Sequence, residues 1–486
     1  MKLNELGWRT EHANRAALVV DAADYYAYAR KAMMGATDQI ILVGWDFDSR
    51  IILDRSRPDD GAPTELGPFL SWLADNRPGL QINILAWSLV TMKLLGRGTT
   101  VLRLARWMKH KQITFKTDGA HPFGASHHQK IIVIDNCMAF CGGIDMTASR
   151  WDTRQHLDND ERRRRPFTER RYMPWHDASM ALEGPVAGAL GDLARARWEI
   201  AGGDPLPVPQ VACNAWPDAL RPQFEDIEVT IGRTRGLNGE IEEIREIEAL
   251  FVAMIERVER YAYIETQYFA SRVIAEAITK RLDEENGPEF VIVNPKVADG
   301  WLEEEVMGAA RAELIDAMRE HPNHHRAQIY TPVTHREADI YVHAKVMIAD
   351  DRVLRVGSAN MNNRSMGLDS ECDVVIEATD DAMIATIAGL RAGLMAEHLG
   401  VEPEVVEQTL AKTGSLIETV ERLRGSGRSL VPFDPPEKAE WQRVMANAQA
   451  LDPEHPEAAF EPSRRGLTTR VRDRARRVRG RLRRRI

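Results

Sequence analysis

What this chain lacks narrows it first. No apolar run among its 486 residues approaches the roughly eighteen that a membrane-crossing helix needs, so no such helix is expected. The first fourteen residues are polar, without a basic segment followed by an apolar core, which predicts no secretory signal and a cytoplasmic location, peripheral to the membrane. The four cysteines, Cys137, Cys141, Cys213 and Cys372, have neither zinc nor disulfide spacing and read as reduced, mostly buried thiols. His121, His176, His335 and His398 stand at no metal-ligand spacing, so neither a metal nor another cofactor is expected.

What is present is a duplication. The pattern H-x-K-x-x-x-x-D occurs as His128, Lys130 and Asp135 and again, 215 residues on, as His343, Lys345 and Asp350. Each copy has a matching tail seven residues past its aspartate, Gly142-Gly143 and Gly357-Ser358. The stretch 39–49 parallels 261–271, 81–88 parallels 289–296, and 112–118 parallels 328–333. A hydrophobic share of 44% over 486 residues fits two domains of about 200 residues each.

The chemistry follows from residue type. A neutral histidine can attack phosphorus and a protonated one can donate a proton to the leaving oxygen, and small environmental shifts separate the two roles. Two half-sites facing one phosphate would supply that pair. Alternation along a strand puts His128 and Lys130 on one face with Ile132 and Ile134, and Asp135 on the other with Ile131 and Val133. Asp135 and Asp350 are therefore read as structural, holding strand ends. His127 has the wrong parity for the pocket and reads as a surface or packing residue.

The flanking stretches, Arg150 to Thr153, Met173 to Asp177, Glu265 to Phe269 and Gly357 to Ser365, make most of residues 8–405 resemble the phospholipase D superfamily. They match best its phosphatidylcholine-type branch. The resemblance implies an α/β fold: two tandem phospholipase D-like domains, each a mixed sheet between helices, related by pseudo-two-fold symmetry. It implies Glu371 and Asp177 as the carboxylates that orient the histidines. Lys130, Lys345 and Asn360 would clamp the phosphate oxygens. The first half carries Asp145 where the second has Asn360, an asymmetry the family shares. His128 would be the nucleophile and His343 the acid, with a glycerophospholipid as substrate and a monomer as the working form. Cardiolipin synthase-like phosphatidyl transfer is the near alternative, although such bacterial enzymes usually carry amino-terminal membrane helices. A nuclease is the further alternative, and a catalytically dead lipid-binding scaffold is disfavoured by two complete motifs.

Charge argues against nucleic acid. From Arg464 to Ile486 twelve arginines and one acid, Asp473, give +11 on a chain of −9, so the remaining 463 residues carry −20. A groove that tracks phosphates should be basic instead. In that tail Leu467, Val471, Ala475, Val478, Leu482 and Ile486 recur at helical spacing, which predicts an amphipathic helix with Arg470, Arg474, Arg477, Arg481 and Leu482 among its membrane-binding residues. The chain divides into a first domain, 1–201; a Pro-rich linker, 202–226; a second domain, 227–400; a helical extension, 401–463; and the tail, 464–486. The charged stretch 151–172 reads as a loop, either solvated or bordering the site.

Overall fold

The computed structural model describes residues 2–434 apart from 89–106, 108–109, 123, 167, 297–310 and 313. The first half supplies strands β1 (Arg9–Val20), β2 (Gln39–Gly44), β3 (Gln81–Trp87), β4 (Ile113–Asp118), β5 (Ile131–Ile134), β6 (Met138–Gly142), β7 (Trp175–His176) and β8 (Ala178–Glu183). The second supplies β9 (Phe224–Arg235), β10 (Ile244–Arg245), β11 (Tyr261–Glu265), β12 (Glu289–Val293), β13 (Ala327–Val333), β14 (Tyr341–Val342), β15 (Val346–Ala349), β16 (Val353–Gly357), β17 (Glu371–Glu377) and β18 (Ser429–Pro432).

All of these strands except β7 and β14, which pair with each other in a separate two-stranded sheet, form one sheet that does not break between the halves. Its order is β18-β13-β12-β11-β15-β16-β17-β9-β1-β8-β6-β5-β2-β3-β4, with β10 added on β9. Outward from the antiparallel β9–β1 junction the two sides mirror each other. Each begins with antiparallel neighbours and reaches three parallel strands, β2-β3-β4 and β11-β12-β13, and the second side adds β18 antiparallel on β13. This is the pseudo-two-fold α/β arrangement expected from the repeat. Strand β9 opens at Phe224, inside the stretch read as linker, because its first residues already pair with Ala16 and Arg15 of β1.

Alternation fixes which way each motif faces. Ile131 and Val133 join Val346 and Ile348 in a core shared by both halves, while Ile132 and Ile134 pack with Tyr25 and Phe69 in the first half's own core. Both β-hairpins that follow the motifs turn on two successive left-handed residues, Asp135-Asn136 and Asp350-Asp351, with φ of 48°, 58°, 53° and 58°. Asn and Asp tolerate that backbone better than most residues.

Two further features differ from the sequence reading. Cys137 and Cys213 are joined in a disulfide with a Cα–Cα distance of 5.6 Å across 76 residues, so two of the four thiols are not free. The hairpin turn at Cys137 meets the Pro-rich passage only in the folded chain, and spacing cannot show that. Cys141 and Cys372 are buried and free. After the helices Pro403–Thr413 and Leu416–Leu423, the extension adds strand β18, which covers the open edge of β13 rather than continuing as helix. The rest of the extension, from residue 435, and the tail with Arg470, Arg474, Arg477, Arg481 and Leu482 lie outside the described residues. No helix among the described residues is long and apolar enough to cross a membrane.

Candidate active site

Each motif histidine is placed by a backbone pairing with the other half. His128 N donates to Ser370 O at 3.0 Å and Ser370 N to Ser126 O at 3.0 Å, which brings the neighbouring Glu371 under the first imidazole. In the mirror position β14 lies parallel to β7, and His343 N donates to His176 O at 2.7 Å, which brings up Asp177. The orienting carboxylates are therefore exchanged. His128 Nδ1 lies 3.0 Å from both Glu371 oxygens, and His343 Nδ1 lies 2.7 Å from Asp177 Oδ2. A carboxylate on Nδ1 selects the Nδ1–H tautomer and leaves the Nε2 lone pair aimed elsewhere.

The carboxylates are themselves held. Glu371 accepts from Ser358 Oγ at 2.5 Å and Ser365 Oγ at 2.7 Å; Asp177 accepts from the backbone N–H of Ala178 at 2.8 Å. A Cβ on Gly143 would stand 2.1 Å from Asp177 Oδ1 and 3.2 Å from the His343 carbonyl oxygen, so the hairpin needs glycine there. Asp135 accepts from the backbone N–H groups of Thr37, Asp38 and Gln39, and Asp350 from those of Glu259, Arg260 and Tyr261. Both aspartates thus point away from the histidines, onto the turns that precede β2 and β11.

Around the pair lie the amines. Lys130 Nζ is 3.3 Å from Asp145 Oδ2, whereas Lys345 Nζ donates to Gln267 Oε1 at 3.2 Å and to the His343 carbonyl. Asn360 Nδ2 reaches the same Gln267 oxygen at 3.5 Å, and Asn360 Oδ1 is buried with no hydrogen-bond partner among the described residues. Trp175 stacks on Tyr341 at 4.5 Å, lies 5.1 Å from the His343 ring, and carries the Arg150 guanidinium 4.0 Å above it.

Burial and these charges set the protonation states. Burial, then Lys130 and Lys345, hold His128 well below the usual imidazole range; burial, then Lys345, Arg150, Lys130 and His128, do the same for His343. The two histidines therefore feel the same two lysines, and His128 itself acts on His343. Burial lifts Glu371 to about 8 and Asp177 to about 6, and pulls Lys345 down to about 7. A bound phosphodiester anion would offset the lysines and return proton affinity to an imidazole.

Gln267, Ser358 and Ser365 take part without having been assigned roles from sequence, although all three lie in the flanking stretches. His127 is buried and bonded to Asp118 at 2.7 Å. His176 and His398, unremarkable by spacing, gather with Glu265, Glu397 and Asp21 in a buried hydrogen-bonded cluster beneath Asp177.

Residues 32–215 match the phospholipase D family model, and residues 251–388 match the phospholipase D-like domain described for cardiolipin synthase. Phospholipase D1 of Schizosaccharomyces pombe is 27% identical over 58% of this chain and 28% of its own length. Phospholipase D A of Dictyostelium discoideum is 26% identical over 80% of this chain and 36% of its own, and phospholipase D alpha 1 of Zea mays 24% identical over 78% and 63%. The chain thus spans about a third of the length of the first two relatives. In fold it is similar to the phosphatidylserine synthase of Haemophilus influenzae, at a TM-score of 0.56 and 13% identity, over 85% of this chain and 95% of that one. With two matched models, one on each motif, the chain belongs to the phospholipase D superfamily.

Proposed function

We propose that this protein is a phospholipase D-type phosphodiesterase that cleaves glycerophospholipids at the distal P–O bond through a phosphohistidine. His128 Nε2 attacks phosphorus and the headgroup oxygen leaves, taking a proton from His343 Nε2. Neutral His343 then draws a proton from water or an alcohol, whose oxygen attacks the phosphohistidine and frees the imidazole. Phosphatidic acid or a phosphatidyl alcohol is released. Lys130, Lys345 and Asn360 stabilise the charge that grows on the non-bridging oxygens.

The exchange of carboxylates between the two halves is the observation that carries this reading, because it gives two oriented imidazoles that both feel Lys130 and Lys345. The match of residues 251–388 to a cardiolipin synthase-type domain favours phosphatidyl transfer to a lipid alcohol as the second reading. Incubation with mixed phospholipids and a primary alcohol, followed by mass analysis, separates the outcomes. Phosphatidyl alcohol is expected; cardiolipin as the sole product would favour the second reading, and no lipid product would refute both.

The tail extends the proposal to location. Residues 464–486 bring an acidic body to anionic bilayers, each basic residue contributing about 1 kcal/mol near such a surface. Deleting them should abolish sedimentation with anionic vesicles and leave turnover of a short-chain soluble lipid within about twofold. Equal sedimentation of truncated and full chains would remove the tail from this role.

A further inference from the structure

Beneath Asp177 lies a cluster of buried titratable side chains drawn from both halves. His176 Nε2 lies 2.9 Å from Glu265 Oε2, and its Nδ1 lies 2.8 Å from Glu397 Oε1 and 3.3 Å from Asp21 Oδ1. His156 Nε2 reaches the same Glu397 oxygen at 3.0 Å, and His398 Nε2 reaches Glu265 Oε1 at 3.1 Å. Tyr263 Oη donates to Glu265 at 2.7 Å and Arg154 Nε to Glu397 at 2.5 Å. All of these side chains except Arg154 are buried.

Geometry fixes the charge on His176. A neutral imidazole has one N–H, so one of its two nitrogens would present a lone pair to a buried carboxylate. That arrangement sets a lone pair against a desolvated anion, which is unfavourable. An imidazolium satisfies both sides. The cation also touches the reaction machinery: the His176 carbonyl accepts from His343 N at 2.7 Å, and Asp21, which flanks the ring, accepts from Asp177 N at 3.1 Å and donates its own N–H to Asp177 O at 2.7 Å.

We propose that His176, held as an imidazolium between Glu265 and Glu397, is a positioning residue for the Asp177–His343 pair. It ties the first-half segment that carries Asp177 to strand β11 and the helix Asp381–Leu399 of the second half. Burial raises Asp177, and Lys345, the Ala178 N–H, Lys130 and, last, the His176 charge favour its ionised form. The groups facing His176 are Glu265, Glu397 and Asp21, with the His156 and His398 rings packed edge-on.

The kinetic arm of the test rests on the proposed phosphodiesterase reaction. His176→Gln keeps a donor and an acceptor but loses the charge. With a short-chain, water-soluble phosphatidylcholine, kcat should fall about 10- to 100-fold with KM within about threefold. The acid limb of the kcat/KM profile should move up by about one pH unit, because Asp177 without its cation takes a proton more readily. A loss of kcat with no movement of that limb would mark the cluster as packing only. The second arm needs no variant: in histidine-labelled full chain, ¹⁵N shifts should show His176 protonated on both nitrogens at pH 8. A neutral ring there overturns the proposal, as does one equivalent of bound metal in the purified protein, which would put an ion between Asp21, His156, His176 and Glu397. Should the wild type turn over no phospholipid, the phosphodiesterase reading fails while the resonance measurement still decides the imidazolium.

Discussion

The two halves of the site use the same histidine–carboxylate pair and support it differently. Glu371, under His128, is held by two serine hydroxyls, Ser358 and Ser365, which are neutral. Asp177, under His343, is held by a backbone N–H and borders the buried ionic cluster around His176. Both carboxylates are fully buried, yet Glu371 is lifted to about 8 and Asp177 only to about 6. Burial raises both; beside Glu371 the Asp369 carboxylate raises it further against Lys130, Ser358 and Ser365, whereas Lys345, the Ala178 N–H, Lys130 and His176 all favour ionised Asp177. The proposed acid, His343, thus rests on the more acidic of the two carboxylates, and the proposed nucleophile, His128, on the less acidic one.

Replacing the histidines tests this contrast hardest. His128→Asn and His343→Asn should each lower turnover of a natural phospholipid by about 10⁴-fold or more. With a p-nitrophenyl leaving group, which needs no protonation, His343→Asn should still give a burst and trap a phosphoenzyme, whereas His128→Asn should not. A burst from the His128 variant would exchange the two roles.

A smaller effect separates the carboxylates. Asp177→Asn removes an anion and should cost about 10³-fold in kcat; Glu371→Gln replaces a group that is already partly protonated and should cost about 10- to 100-fold. Equal losses, measured near pH 7, would erase the difference between the limbs.

Stability offers the finest measurement. Glu371 titrates higher in the fold than its ordinary 4.5, so its contribution is full below about pH 4.5 and is lost as pH rises towards about 8. Glutamine does not titrate. The melting temperature of Glu371→Gln relative to wild type should therefore rise between pH 5 and pH 8 and level off above. A difference that falls with pH would place the carboxylate's proton affinity below its ordinary value.

Much of this architecture was legible because repetition is a local signal. The paired motifs, the parallel stretches at 39–49 and 261–271, and the alternation through Ile131 to Ile134 need only spacing and parity. The exchange of Glu371 and Asp177 was not legible, since it depends on β14 meeting β7 and on Ser126 meeting Ser370, contacts across 166 and about 243 residues. The cluster around His176 was hidden for the same reason: its six members come from five separate segments. The Cys137–Cys213 disulfide shows that scanning short cysteine spacings misses bonds closed by tertiary contact. Gln267, Ser358 and Ser365 stood in stretches already marked, but a glutamine or serine carries no chemistry until its neighbours are known.

The exchange of partners also governs what recombination can do with this chain. A second half grafted from another superfamily member would have to present a matching edge to residues 126–128 and another to residues 174–176, at once and in register. A crossover in the Pro-rich passage 202–223 leaves each copy of the motif intact and still separates both histidines from the carboxylates that orient them. Chimaeras joined there would fold or fail as pairs, and the unit of inheritance for this site is the whole two-copy body.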